Sequence, residues 1–143
     1  MKKSDIPKAV YSTIKELGFK VTQKRNGDIT ICKGLKHPMS IEFLNEEQNS
    51  FRFKLWIGEL TDELQMKAAG VCCIKLNPTF YLTKLMIEKK RSKYGLCAVI
   101  DHMCYTQTDV HKFIPLAKDL IVGDSIKAID FMNEKVAQLR NAE

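Results

Sequence analysis

Apolar residues recur along this chain with two different periods, and the changes of period mark out its elements. Near the start, Ile6, Val10, Thr13, Ile14 and Leu17 fall on one helical stripe with Ala9 beside it. Ser4 is placed to cap that helix, Asp5 suits the positive end of its dipole, and Pro7 fits its first turn. Gly18 suits the left-handed residue that closes it. The period then drops to two. Residues 19–24 and 28–33 read as short strands joined at Asn26-Gly27, a pair that tolerates the positive φ of a tight primed turn. Residues 34–38 read as a loop, and a third strand carries Met39, Ile41 and Phe43 on one side. After a polar turn at 45–50, the fourth strand alternates most cleanly. Phe51, Phe53, Leu55 and Ile57 point inward, with Arg52, Lys54 and Trp56 opposite.

Thr61-Asp62-Glu63 opens a second helix by capping and dipole logic, with Leu64, Ala68, Val71 and Cys72 as its stripe. Asn77-Pro78 ends it, because the residue before proline is pushed out of the helical region. Residues 80–90 read as a strand in which Tyr81, Thr83, Leu85 and Ile87 alternate with Lys84, Met86 and Glu88. Residues 96–105 are rich in β-formers and too apolar on both faces for an exposed helix, which leaves 89–95 as a hairpin loop. The last helix starts near Thr108 or Asp109 and continues the stripe through Ala117, Ile121, Ala128, Met132, Val136 and Leu139. Pro115 marks either its true first turn or a kink, and Gly123-Asp124 is a second place where it could break. The order α-β-β-β-β-α-β-β-α predicts an α+β fold, an antiparallel sheet with helices packed on it. No repeat or linker divides the chain, so 1–143 is expected to be a single domain.

Composition narrows the setting. With 143 residues, 45% hydrophobic and 28% charged, the chain is long enough to bury a core and ordinary for a globular protein. No tract is long enough to span a bilayer, and the two N-terminal lysines have no apolar run behind them, so the expected location is the cytoplasm, away from any membrane. Five cysteines, Cys32, Cys72, Cys73, Cys97 and Cys104, without a Cys-x-x-Cys spacing, read as free thiols in a reducing compartment. The net charge is +6, and residues 84–93 hold five cations against Glu88 alone, so most of the excess is local.

Candidate chemistry is sparse. His102 and Cys104 lie two apart on one strand, with His111 a short way on, which could begin a zinc site or pair a thiol with a base. No further ligand is specified and no thiol-enzyme signature surrounds any cysteine, so packing is the favoured reading and no cofactor is expected. The acidic pairs sit in turns and helix starts, and no phosphate-binding glycine loop occurs. The basic tip Lys89-Lys90-Arg91-Ser92-Lys93-Tyr94 is the strongest feature by charge. Its cations could neutralise phosphates and Tyr94 could stack on a base, against the simpler reading of a solvated turn that protects the sheet from edge pairing. Trp56, flanked on its strand face by Lys54 and Arg52, is the candidate protein-partner contact.

The order of elements, together with Gly18-Phe19 after the first helix, Gly27-Asp28 opening the second strand, Leu76-Asn77 at the end of the middle helix and Lys84 in the following strand, resembles the YbjN family, within the group that shares the fold of type III secretion chaperones. The resemblance runs from about Ile6 to Leu139 and rests on element order more than on signature residues. It implies a bacterial regulatory protein, frequently a homodimer, with no enzyme activity and no catalytic residues to assign. Chaperones of this kind bind segments of other proteins. Pro78 directly after Asn77 and the strongly basic tip depart from the family pattern. The expected function is therefore non-enzymatic binding of a protein or peptide segment. The alternative is a nucleic-acid-binding module that uses the tip.

Overall fold

The computed structural model describes residues 5–31 and 38–142. Its elements are α1 (Asp5–Glu16), β1 (Val21–Gln23), β2 (Ile29–Ile31), β3 (Met39–Phe43), β4 (Ser50–Leu60), α2 (Glu63–Leu76), β5 (Lys84–Lys90), β6 (Lys93–Met103) and α3 (Gln107–Asn141), with a 3-10 turn at Asn77–Thr79. The strands form an antiparallel six-stranded sheet in the order β1-β2-β3-β4-β6-β5. This is the α+β architecture that the alternating periods predict. The Ser4 cap, Cys32 and most of the 34–38 loop lie outside the described residues. The chain divides into two compact units, one from 5–54 and 100–119, the other from 55–99 and 120–142.

In the first unit, most of the apolar stripe of α1 is inside: Ile6, Val10 and Ile14 are at most 1% exposed, whereas Leu17, just past the end of the helix, is exposed. β1, β2 and β3 pair in register, Val21 opposite Ile31 and Ile29 opposite Ile41. The turn between β1 and β2 is wider than a primed two-residue turn. Lys24 N–H donates to Asp28 O and Gly27 N–H to Lys24 O, and Gly27 alone of the Asn-Gly pair takes the left-handed conformation, at φ +94°. Asn26 contributes its side chain, whose Oδ1 accepts from Asp28 N–H. That is a three-residue loop closed by a left-handed glycine, a common hairpin solution. Phe51 lies at the centre of the unit, edge-on to Phe43, His102 and Phe113 at 6.0–6.3 Å.

α3 starts one residue before the expected position. Thr106 Oγ1 accepts from Asp109 N–H while Asp109 Oδ2 accepts from Tyr105 N–H, a reciprocal cap. The helix then runs through both Pro115 and Gly123 without interruption. Pro115 removes one backbone hydrogen bond. Val110, Ile114 and Ala117 around it are all fully buried, and that burial offsets the loss.

In the second unit, Asp62 caps α2 by accepting from Gln65 N–H, and Gln65 Oε1 in turn accepts from Thr61 N–H. The stripe of α2 is carried by Ala68, Ala69 and Cys72, all buried, while Leu64 and Val71 are half-buried. The expected strand over 80–90 begins only at Lys84, and Tyr81 is 84% exposed. Asn77 is the reason. Its Oδ1 accepts from Leu85 N–H and its Nδ2 donates to Leu85 O, so a side-chain amide takes the place of a strand on the outer side of β5. Lys84 Nζ donates to the carbonyls of Asn77 and Phe80 and so caps the end of the α2 segment. The chain from 80 to 83 is spent turning around that clamp. Asn77→Asp should cost about 1–3 kcal/mol in urea unfolding, and more than Asn77→Ala, because it sets a carboxylate oxygen against the Leu85 carbonyl.

The hairpin between β5 and β6 is tighter than the 89–95 loop expected. Pairing continues through Lys89 opposite Tyr94 to Lys90 opposite Lys93, which leaves only Arg91 and Ser92 in the turn. β6 is buried on both faces from Gly95 to Val99, which is why its sequence shows no alternation.

Candidate binding surfaces

The residues that suggested metal or thiol chemistry are each engaged separately. His102 stacks on Phe113, ring centroids 3.6 Å apart and 8° from parallel. His111 Nδ1 lies 2.8 Å from Thr13 Oγ1, whose proton goes to Ala9 O, so His111 is the donor. Cys104 is buried just beyond the end of β6. Among the described residues no three His, Cys, Asp or Glu side chains gather as a metal site. Burial pushes the Cys104 thiol up to about 11, helped by the charge of Asp109, and the Cys72 thiol up to about 12, helped by Cys73. Thiols held protonated in this way are poor nucleophiles at neutral pH.

Burial lowers the pKa of His102, and the opposing pull of Asp109 is smaller. A histidine with a depressed folded-state pKa binds protons more weakly folded than unfolded. Stability then falls as pH drops from the ordinary histidine value near 6.5 toward the lowered one. His102→Phe, which keeps the stack, should lose that component. Urea midpoints measured between about pH 7 and 5 should converge for the two proteins toward acid if wild type is the more stable at neutral pH, and otherwise diverge in the variant's favour.

β4 presents Arg52, Lys54 and Trp56 on one side, as the alternation required, but each has a cross-strand partner. In the first unit, Arg52 makes a bidentate pair with Asp101 at 2.7 and 3.0 Å, and Lys54 Nζ is 2.8 Å from Glu42. In the second unit, the six-membered ring of Trp56 lies flat over Gly95, so closely that a Cβ on Gly95 would overlap its Cη2 and Cζ2 atoms. The sequence treated Trp56 and the basic tip as separate features. The structure puts them side by side: Trp56 and Glu59 line one cavity of about 570 Å³ with Lys90, Arg91, Ser92 and Lys93. Lys89 and Tyr94 are occupied with each other, the ammonium 5.6 Å from the ring centroid. Lys93 reaches to 4.0 Å from Glu59, leaving its side chain 68% exposed.

A second cavity, of about 400 Å³, had no signal in the sequence as a site. It lies between the sheet and the end of α3, lined by Ile57, Leu60 and Leu96 from the strands and Met132, Val136 and Arg140 from the helix. Met132 and Val136 belong to the apolar stripe of α3, but both are only half-buried. A stripe read as core therefore lines a groove. No helix among the described residues is long and apolar enough to cross a membrane.

Comparison with known proteins places this geometry in a fold. No family model matches the chain, and no curated protein does. Among solved structures, YbjN from E. coli, a proposed transcription regulator, superposes with a TM-score of 0.68 at 11% identity, over 86% of this chain and 90% of that one. The Yersinia pestis type III secretion chaperone SycH, solved in complex with a stable fragment of YscM2, superposes with a TM-score of 0.51 at 13% identity, over 86% of this chain and 98% of that one. The chain thus has the YbjN-like α+β fold that resembles type III secretion chaperones, as the order of its elements implied.

Proposed function

We propose that this chain is a non-enzymatic binding protein that holds a segment of another protein, with an apolar side chain of that segment seated in the groove between the sheet and the end of α3. The observation that carries the reading is the fold itself: SycH, built on the same plan, was solved holding a fragment of YscM2. The groove supports it. A volume of about 400 Å³ with a largely aliphatic lining suits one or two apolar side chains, and Arg140 at its border can meet a carboxylate or a backbone carbonyl of the incoming chain. The protein works as a single YbjN-like domain in the cytoplasm, as a homodimer, so light scattering should give twice the chain mass of 16.4 kDa.

Arg52, Lys54 and Trp56 form the second proposed contact, and variants separate the two. Immobilised wild type should retain a protein from native lysate. Met132→Glu, which sets an acid in the groove, should lose it with its circular dichroism unchanged. If only Arg52→Ala with Lys54→Ala and Trp56→Ala loses it, the outward side of β4 is the contact. Retention by all the variants would exclude both surfaces.

A further inference from the structure

From the cavity that Trp56 shares with the β5–β6 tip, we infer a site for single-stranded nucleic acid, in which a base stacks on the indole where it lines the cavity and the neighbouring phosphates meet Lys90, Arg91 and Lys93. This goes beyond protein capture and does not depend on it. Gly95 seats the ring. With no side chain there, the indole lies flat on the strand, and that contact fixes the ring plane. That side of the ring is covered, and the half-buried Trp56 also lines a cavity of about 570 Å³. A rigid aromatic platform of this kind is what proteins offer a base, whatever its identity.

Charge supplies the other half. Three cations of the tip line the same cavity, with Glu59 as the one acid among them. Lys93, at 4.0 Å and largely exposed, is not consumed by that acid. An acidic peptide would satisfy the cations and leave the indole face in water, and an apolar peptide would do the reverse. A nucleotide strand carries a flat π surface and fixed negative charge within one repeat, and so uses both. A duplex keeps its bases stacked on one another and could use only the cations.

Arg91 adds an unusual detail. It sits at the first turn position with φ +59°, where glycine is the favoured residue. A bulky cation is held there against the preference of the backbone, and it lines the cavity. Arg91→Gly therefore removes charge from the site while easing the turn, so loss of binding in this variant cannot be ascribed to unfolding.

Trp56 is the sole tryptophan of the chain, so its emission reads the site directly. Titrating wild type with a roughly ten-nucleotide oligothymidylate or oligoadenylate at low salt should give saturable quenching. Three phosphate contacts predict a slope of log K against log salt near about −2, and Arg91→Gly should reduce its magnitude by about 0.7. Trp56→Leu, followed by anisotropy of a labelled strand, should weaken binding by at least ~5-fold, the equivalent of ~1 kcal/mol for one stacked base. Met132→Glu should bind strands as wild type does, which keeps this test separate from that of protein capture. Absence of quenching by every single strand would overturn the inference. So would equal quenching by polyglutamate, by thymidine monophosphate or by duplex at matched concentration, or an Arg91→Gly protein that binds unchanged.

Discussion

Gly95→Ala should destabilise the protein by about 3 kcal/mol, although alanine suits a strand better than glycine does. The added Cβ would fall on the six-membered ring of Trp56, within 2.7 Å of Cζ3 and closer still to two other ring carbons. Real Cβ atoms do not approach that closely, so either the indole leaves its seat or the strand moves. Gly95 is buried in the middle of the paired β5–β6 region, opposite Glu88, which leaves the backbone little room to shift. Urea unfolding measures the cost, and the emission of Trp56 should move to the red as the ring is displaced into water. Trp56→Leu in the same background should restore much of the loss, so the two sites should couple by more than about 1 kcal/mol. If Gly95→Ala stays within about 0.5 kcal/mol of wild type, the indole does not lie on this strand as described.

Phe51→Ala should cost about 3–5 kcal/mol. The side chain is fully buried and meets three rings edge-on, those of Phe43, His102 and Phe113. Removing it leaves a cavity bordered by rigid aromatic groups, two of which are stacked on one another and cannot collapse inward without breaking that stack. Each edge-on pair adds about 0.5–1.5 kcal/mol to the area term. Phe51→Leu keeps part of the volume but none of the ring edges, and should fall between alanine and wild type. Thermal unfolding gives the order directly. An alanine cost under about 1.5 kcal/mol would show that the first unit is not built around this ring.

What the sequence revealed and what it hid follow from the range of the interactions involved. The fourth strand was plain from Phe51 to Ile57 because one face is buried and the other polar, and period two records that in adjacent letters. The helix start at Asp62 was equally local, a side chain bonding a backbone three residues away. The late start of β5 was not legible. Asn77 and Leu85 lie eight residues apart, and a carboxamide acting as a strand leaves no period behind. Whether α3 has its first turn or a kink at Pro115 stayed open because the cost of proline is local, while the burial that outweighs it comes from residues distant in sequence.

The binding surfaces were legible as ingredients and hidden as arrangements. Trp56 and the basic tip each stood out, one by rarity and one by charge. Their adjacency depends on the turn being two residues long and on a glycine in β6 that receives the indole. Gly95 read as a loop residue, and nothing in one sequence says which strand residue a tryptophan will cover. The groove lined by Met132 and Val136 was hidden for a simpler reason. A helical stripe has the same spacing whether it is fully covered or half-open.

A photo-reactive benzophenone side chain placed at position 132 tests most directly whether this fold holds a segment of another protein at that groove. Irradiated in native lysate, the protein should form a covalent adduct with a second polypeptide that survives nuclease treatment, and the same group at Lys67, exposed on α2, should not. No polypeptide adduct from position 132, or one given equally from Lys67, would contradict it.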